Sequence, residues 1–336
     1  MNRRLKTNVR SVLHSIGAVS AIRRFNRSAL RILMYHDFSS DTRGLREQCE
    51  HIRRYYQPLS LTTLSESLEA GRAIPHNNVV ITVDDGYRDF FLYAHAVFQD
   101  YQIYPTLFVI SDFSDQKLWP WWNQIEYAFE KTSKNSISLP FFNGERQNIV
   151  LETDEDRLRA SARTIDALIK VADNERLPLM ELIPRLLDVA LPTSPPAKWS
   201  PVTWEELKQI LREGVEVGAH TKTHPILSRI DDVEKIREEI EGCKLRIEEE
   251  LGQEVLHFCY PNGKLADIHK LTVEIVKQCG FRTAVTSERG LNLSGADPFL
   301  LRRIGVEPDG ATHYFQELLA GIVDAQGAKT RYSSLK

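Results

Sequence analysis

From residue 30 onward the chain alternates short apolar runs with longer stretches in which apolar positions recur every three or four residues. Residues 31–35 (RILMY), 79–83 (VVITV), 104–110 (YPTLFVI), 215–219, 255–260 and 283–286 read as buried strands, each bounded by turn or polar residues. Between them, residues 44–55, 89–100, 204–212, 233–251 and 266–279 predict helices with one charged face. Gly280 gives the last of these a stop signal. Along 233–251 Glu alternates with Lys and Arg, the pattern of a solvated face. Strand–helix–strand alternation implies an α/β fold with a mostly parallel sheet, open or closed, whose chemistry sits in loops at the carboxyl ends of strands.

Residues 115–200 break this rhythm. They hold Trp119, Trp121 and Trp122, a polar stretch over 131–148, helical patterns over 154–191, and a closing run from Pro192 to Pro196 with Pro201. The expectation is an insertion between two core strands that covers the site or holds a partner. The Trp cluster is read first as packing, although exposed indole faces also stack on sugar rings.

The composition fits a soluble globular protein: 336 residues, 42% hydrophobic and 26% charged. A net charge of −3 gives no basic field of the kind nucleic acid attracts, so no nucleic-acid partner is expected. Neither G-x-G-x-x-G nor a P-loop occurs, which disfavours a nucleotide-binding module. Cys49, Cys243, Cys259 and Cys279 form no C-x-x-C pair and read as free thiols in a reducing compartment, with Cys259 in the core. Residues 1–36 carry eight basic side chains and no acidic one, with Val9, Val12, Leu13, Ile16 and Val19 at near-helical spacing. A secretory signal is disfavoured by the interruptions at His14, Ser15 and Gly17. A poorly ordered basic arm and an amphipathic helix on an anionic membrane surface both stay open for residues 1–28. The expected location is cytoplasmic, with peripheral contact at the inner membrane face.

Four features with chemical potential fall at strand ends. Thr82-Val83-Asp84-Asp85-Gly86 follows an apolar strand, and a Gly turn there lets both carboxylates face the mouth. His220-Thr221-Lys222-Thr223-His224-Pro225 follows another strand; at i and i+4 the two imidazoles share one face of a helical turn. One carboxylate with two imidazoles is a common open ligand set for Zn²⁺ or another divalent transition metal. Phe258-Cys259-Tyr260-Pro261-Asn262-Gly263 ends in a turn that can aim a backbone N–H outward. His36, in Met34-Tyr35-His36-Asp37, ends the first strand and alone would read as a structural histidine.

Together TVDDG, HTKTHP and FCYPNG resemble the first three motifs of the polysaccharide deacetylases, the chitooligosaccharide-deacetylase (NodB-like) group called carbohydrate esterase family 4, over roughly residues 30–310. The resemblance implies a distorted, incomplete (β/α)7-type barrel, here with a large helical insertion, and metal-dependent hydrolysis of sugar N-acetyl groups. It implies one such domain over 29–312, with the insertion at about 115–200 and a C-terminal helix and tail over 313–336. By the same resemblance Asp84 is the general base, Asp85, His220 and His224 are metal ligands, and the Asn262 N–H is the oxyanion donor. MYHDF is similar to a permuted branch, which makes His36 the candidate acid and His313 its competitor. Zn²⁺ is the expected ion, with Ni²⁺ and Co²⁺ open. Tyr87, Tyr260, Pro261 and Trp122 are the expected substrate contacts. The substrate class implied is an N-acetylated polysaccharide, oligosaccharide or lipid-linked glycan.

Two departures stand out. The usual Arg before the third-motif proline is absent, and so is an Asp-Trp fourth motif. Arg303 or its neighbour Arg302 is expected to supply the charge beside Asp84, strand register deciding which. Competing readings are a same-fold amidohydrolase or deformylase acting on another amide, and a non-catalytic glycan-binding protein.

Overall fold

The first strand, β1 (Arg31–Tyr35), is flanked on both sides, and that double pairing closes a barrel. The computed structural model describes residues 17–139 and 147–322. The other barrel strands are β2 (Gln57–Leu59), β3 (Asn78–Val83) and β4 (Thr106–Val109); β5 (Ser136–Leu139) and β6 (Gln147–Val150) lie apart as a two-stranded antiparallel sheet. The series ends with β7 (Glu216–Ala219), β8 (His257–Cys259), β9 (Thr283–Arg289) and β10 (Leu301–Gly305). The main sheet runs β1-β10-β9-β8-β7-β4-β3-β2, every pairing is parallel, and β1 also pairs with β3. Seven strands thus form a closed ring, and β2 is an extra strand on its outside. This is the distorted (β/α)7 barrel the sequence implies, one strand short of the usual eight.

The distortion has a local cause. Along one edge β3 pairs with β1 over residues 79–83. Its other edge is divided: residues 78–80 meet β2, and residues 82 and 83 meet β4. Burial explains why these runs are apolar throughout: all six residues of β3 and all four of β4 are buried, covered by lumen on one face and helices on the other.

β1 spans the range read from the sequence, β3 starts one residue earlier, β4, β7 and β8 are trimmed by one or two residues at one or both ends, and β9 runs on to Arg289. Helices Arg43–Tyr55, Trp204–Arg212 and Val233–Leu251 fall where expected. The last begins at the Asp232 cap and stops at Gly252, whose φ is +67°. The last predicted helix starts later, at Lys270, and stops where Gly280 takes a φ of +80°. Over 89–100 a π-helical segment, Phe90–Ala94, precedes a short α-helix, His95–Asp100. β2 and β10 are not among the strands read from the sequence, and the polar stretch over 131–148 contains β5 and the start of β6.

Between β4 and β7 the chain builds a layer with its own apolar cluster, drawing on Ile125, Phe129, Leu139, Leu151, Leu168 and Ile183. Its helices are Trp121–Lys131, Asp154–Leu168 and Asp173–Leu186. A capping box of Thr153 and Asp156 starts the second. The layer's exit is bonded to the loop after β3: Arg88 N–H donates to Ser200 O, and Val202 N–H to Gly86 O.

Helix Ala18–Phe25, the described part of the basic arm, packs on the C-terminal helix Thr312–Ala320; Asn26 Nδ2 donates to Ala320 O and buried Arg31 Nε to Leu319 O. Residues 1–16 of the arm and 323–336 of the tail lie outside the described residues. Among the described residues no helix is long and apolar enough to cross a membrane.

Candidate active site

A cleft of about 350 Å³ opens at the carboxyl ends of the barrel strands. The loop after β3 makes its floor. Asp84 N–H donates to Tyr35 O, which fixes the strand end. The next two residues turn sharply, with φ of +72° at Asp85 and +78° at Gly86. A Cβ at residue 86 would lie 3.0 Å from a Val109 methyl, so only glycine lets the turn approach β4. Both carboxylates consequently reach the mouth, and both are buried.

His220 and His224 come together by a route the spacing did not suggest. Residues 220–224 form no helical turn; Thr221 and His224 have φ of +65° and +57°. The loop is pinned from inside and outside. Thr221 Oγ1 accepts from His224 N–H, and Glu239 takes the Thr223 N–H and hydroxyl at 2.9 and 2.7 Å. The ring centroids end 4.7 Å apart.

Asp85 Oδ1 lies 3.4 Å from His220 Nε2 and 3.7 Å from His224 Nε2. Two ligands held about 2.0–2.1 Å from one ion at a tetrahedral angle are about 3.4 Å apart, so this spacing fits a shared cation. The tautomer fits as well. His220 Nδ1 is 2.7 Å from Cys259 O, a carbonyl that can only accept, which leaves the Nε2 lone pair facing Asp85. Burial, then the neighbouring His220, holds His224 down at about 3, so its ring is neutral at physiological pH. Burial opposes charge on His220 too, but Cys259 and the two aspartates outweigh it and push its pKa well up. The pocket therefore demands a positive charge, which a proton or a metal cation can supply.

Asp84 is held differently. Arg303 Nη1 and Nη2 meet its two oxygens at 2.6 and 2.7 Å. The guanidinium is itself buried and also donates to Thr286 O, Thr82 Oγ1 and Cys259 Sγ. Burial pushes the Asp84 carboxyl upward, but Arg303 outweighs it and holds the pKa well below the carboxylate range. Register thus selects Arg303 for the lumen; Arg302 is exposed on the outer face of β10. Cys259, expected in the core, is buried but places Sγ 3.5 Å from Asp84 Oδ2 and 4.0 Å from His220 Nε2. Asp84, His220 and Cys259 are a second group with metal-ligand spacing, but its carboxylate is already engaged by a guanidinium.

His36 stands at the rim, its side chain 44% exposed and its Nε2 3.7 Å from Asp84 Oδ2. His313 is exposed on the C-terminal helix and does not line the cleft. The turn after β8 is shaped by Asn262 and Gly263, with φ of +58° and +66°. A Cβ at 263 would meet the Ser287 nitrogen at 2.7 Å. Asn262 lines the cleft; its side chain donates to Asp267, its carbonyl accepts from Ser287 Oγ, and its N–H has no acceptor among the described residues.

The expected substrate contacts divide. Tyr260 and Trp122 line the cleft. Trp122 stands edge-on to His224, ring centroids 4.5 Å apart. Pro261 and Tyr87 are buried and do not line it. The Tyr87 hydroxyl accepts from Trp122 Nε1 at 3.1 Å and donates to Asn123 Oδ1 at 2.5 Å, so it braces the indole from behind. Trp121, marked in the sequence only as part of the Trp cluster, forms the insertion's wall of the cleft with Ile165 and Ile169, which sequence reasoning missed along with Lys264 and Ser287 elsewhere in the lining. Nothing in the helical patterns of 154–191 marked which apolar residues face the site.

A family model described as polysaccharide deacetylase matches residues 72–284. Over 62 residues the chain is 37% identical to the poly-beta-1,6-N-acetyl-D-glucosamine N-deacetylase of Escherichia coli (strain K12), a stretch covering 18% of this chain and 9% of that protein's length. Among solved structures, the Streptococcus pyogenes deacetylase PplD superposes with a TM-score of 0.57 at 15% identity, covering 87% of this chain and 98% of the other. IcaB from Ammonifex degensii gives 0.55 at 17% identity, covering 87% and 97%. At these identities the structural likeness is one of fold.

Proposed function

The chain belongs to the polysaccharide deacetylase family, and on that premise we propose that it is a metal-dependent hydrolase that removes N-acetyl groups from an amino-sugar glycan. The observation that carries this reading is the convergence of Asp85 Oδ1, His220 Nε2 and His224 Nε2 beside an ionised, clamped Asp84 at the mouth of the barrel. Asp85, His220 and His224 would hold a divalent cation, most simply Zn²⁺, with Ni²⁺ and Co²⁺ as the alternatives. Such an ion supplies Lewis acidity that polarises the acyl carbonyl and eases deprotonation of water.

The chain's own groups do the rest. Asp84, oriented by Arg303, takes the proton from the attacking water. The Asn262 N–H donates to the oxygen that becomes negative at the acetyl carbon. His36, at the open rim, gives a proton to the leaving sugar amine, which is otherwise a poor leaving group. Trp122 and Tyr260 bound the space for the sugar. The paired indoles of the insertion favour a ring-shaped substrate over a simple acyl amide.

Within the same reading, exposed Arg24, Arg27 and Phe25, the last 87% exposed, meet an anionic membrane surface. Sedimentation with phosphatidylglycerol vesicles tests this; a protein that stays in the supernatant at low salt removes the membrane contact.

The deciding experiment measures acetate release from N-acetylglucosamine oligomers and polymers, with and without a lipid carrier, before and after chelation. Release that is lost on chelation and restored by one metal is the expected result. A zinc-loaded protein that releases acetate from none of them overturns the assignment.

A further inference from the structure

The insertion carries a second cavity of about 330 Å³, separate from the catalytic cleft. Phe129, almost fully buried, and Trp199, whose ring centroid is 3.8 Å from the Lys198 ammonium, are its aromatic lining, and its rim combines acidic, basic and hydroxyl groups. Two lining groups have unmet hydrogen-bonding capacity. Ser161, only 3% exposed, has an Oγ with no partner among the described residues, and so does the buried Nε of Arg157. Such groups are costly to leave unmet, and a ligand carrying hydroxyls would satisfy both once the two side chains turn toward it. The charges are largely spent on one another: Lys198 pairs with Glu130, and Arg157 with Asp154 at 3.3 Å. Glu126 accepts from Asn123 Nδ2 at 2.9 Å. The cavity therefore suits a neutral ring with apolar faces and hydroxyl edges, not an ion.

Its position relates it to the cleft. Trp122, in the first turn of helix Trp121–Lys131, faces the catalytic site, whereas Phe129 of the same helix lines the second cavity. Seven residues separate them, about 10 Å along the axis. A hydrogen-bonded chain joins the two places: Glu126 to Asn123, Asn123 to Tyr87, Tyr87 to Trp122.

We propose that this cavity is a distal saccharide subsite that holds a neutral N-acetylated unit of the same glycan, remote from the bond being hydrolysed. The proposal rests on the glycan-deacetylase reading and adds a length preference to it.

The test compares N-acetylglucosamine dimer and hexamer with the zinc-loaded wild type, the double variant Arg157→Met/Ser161→Ala, and Trp199→Ala. The expected result is a wild-type KM lower for the hexamer, and in the variants a rise of about tenfold in hexamer KM with kcat and all dimer kinetics unchanged. Hexamer binding is followed in parallel by calorimetry. Equal losses on both lengths, or no length dependence in the wild type, overturn the subsite. If the wild type releases no acetate, the function fails first, and calorimetry still decides the cavity. Hexamer binding weakened in the double variant upholds it, and binding that is absent or unchanged refutes it.

Discussion

Arg303, on β10, reaches across the barrel lumen and closes on Asp84 at the end of β3 through two parallel hydrogen bonds of 2.6 and 2.7 Å. Both side chains are buried, and the remaining guanidinium donors find Thr286, Thr82 and Cys259. A planar fork with all its donors engaged holds a carboxylate in one orientation, which a flexible ammonium cannot do.

Removing the fork has two consequences. Arg303→Met leaves a buried, uncompensated carboxylate, a change that costs about 3–5 kcal/mol. Because Asp84's folded pKa lies below its unfolded value, its contribution to stability is present above about pH 4 and fades as the pH falls. The variant's deficit is thus expected to be large at pH 7 and smaller near pH 3, as urea unfolding at both pH values would show. In Arg303→Lys the carboxyl pKa rises, so the acid limb of kcat/KM moves to higher pH; an unmoved limb would count against Asp84 as the base.

Metal binding separates the two aspartates. Asp85→Ala and His224→Ala are each expected to lose tight zinc, read by equilibrium dialysis, together with all turnover. Asp84→Asn is expected to keep zinc while its kcat falls about 10²–10⁴-fold. Zinc at a thousand times its Kd would raise the wild type's stability by about 4 kcal/mol, and that increment should vanish in Asp85→Ala. Zinc retained by Asp85→Ala would shift attention to Asp84, His220 and Cys259.

Tyr87 offers a finer probe, because it touches Trp122 and not the cleft. Tyr87→Phe removes a hydroxyl that accepts from the indole and donates to Asn123, leaving both with lost partners at a cost of about 1–3 kcal/mol. With the indole less firmly braced, KM for the sugar is expected to rise several-fold and zinc affinity to stay unchanged. A fall in zinc affinity would mean that Tyr87 supports Asp85 rather than Trp122.

The parts of this architecture that were legible are those in which local pattern and burial agree. β3 and β4 are apolar because both faces are covered, and Asp84 and Asp85 stand out because a glycine follows them. β10 is not legible as a strand because two arginines interrupt its apolar pattern; the motif comparison places one of Arg302 and Arg303 beside Asp84, but only the register of the folded strand selects Arg303. The H-x-x-x-H spacing pointed to the right pair for the wrong reason, since a pinned loop, not a helical turn, brings the imidazoles together. Cys259 is as apolar in context as any core cysteine, and only tertiary structure sets its sulfur beside Asp84 and its carbonyl against His220.

His36 is the group whose assignment as acid a single substitution can decide. It sits at the end of β1, on the strand that closes the barrel, with a half-exposed ring whose Nε2 is 3.7 Å from Asp84 Oδ2. That separation is beyond a hydrogen bond, so the ring is not consumed in holding the base and is free to face substrate. It is also remote enough from the packed core that its loss leaves stability nearly intact. His36→Gln is therefore expected to lower kcat about 10²–10⁴-fold while zinc content and thermal midpoint hold, with acetate release and dialysis as the readouts. His313→Ala, at an exposed position of the C-terminal helix outside the cleft, is expected to turn over like the wild type. If His36→Gln works normally and His313→Ala does not, the proton comes from elsewhere and the rim histidine is only a wall of the cleft.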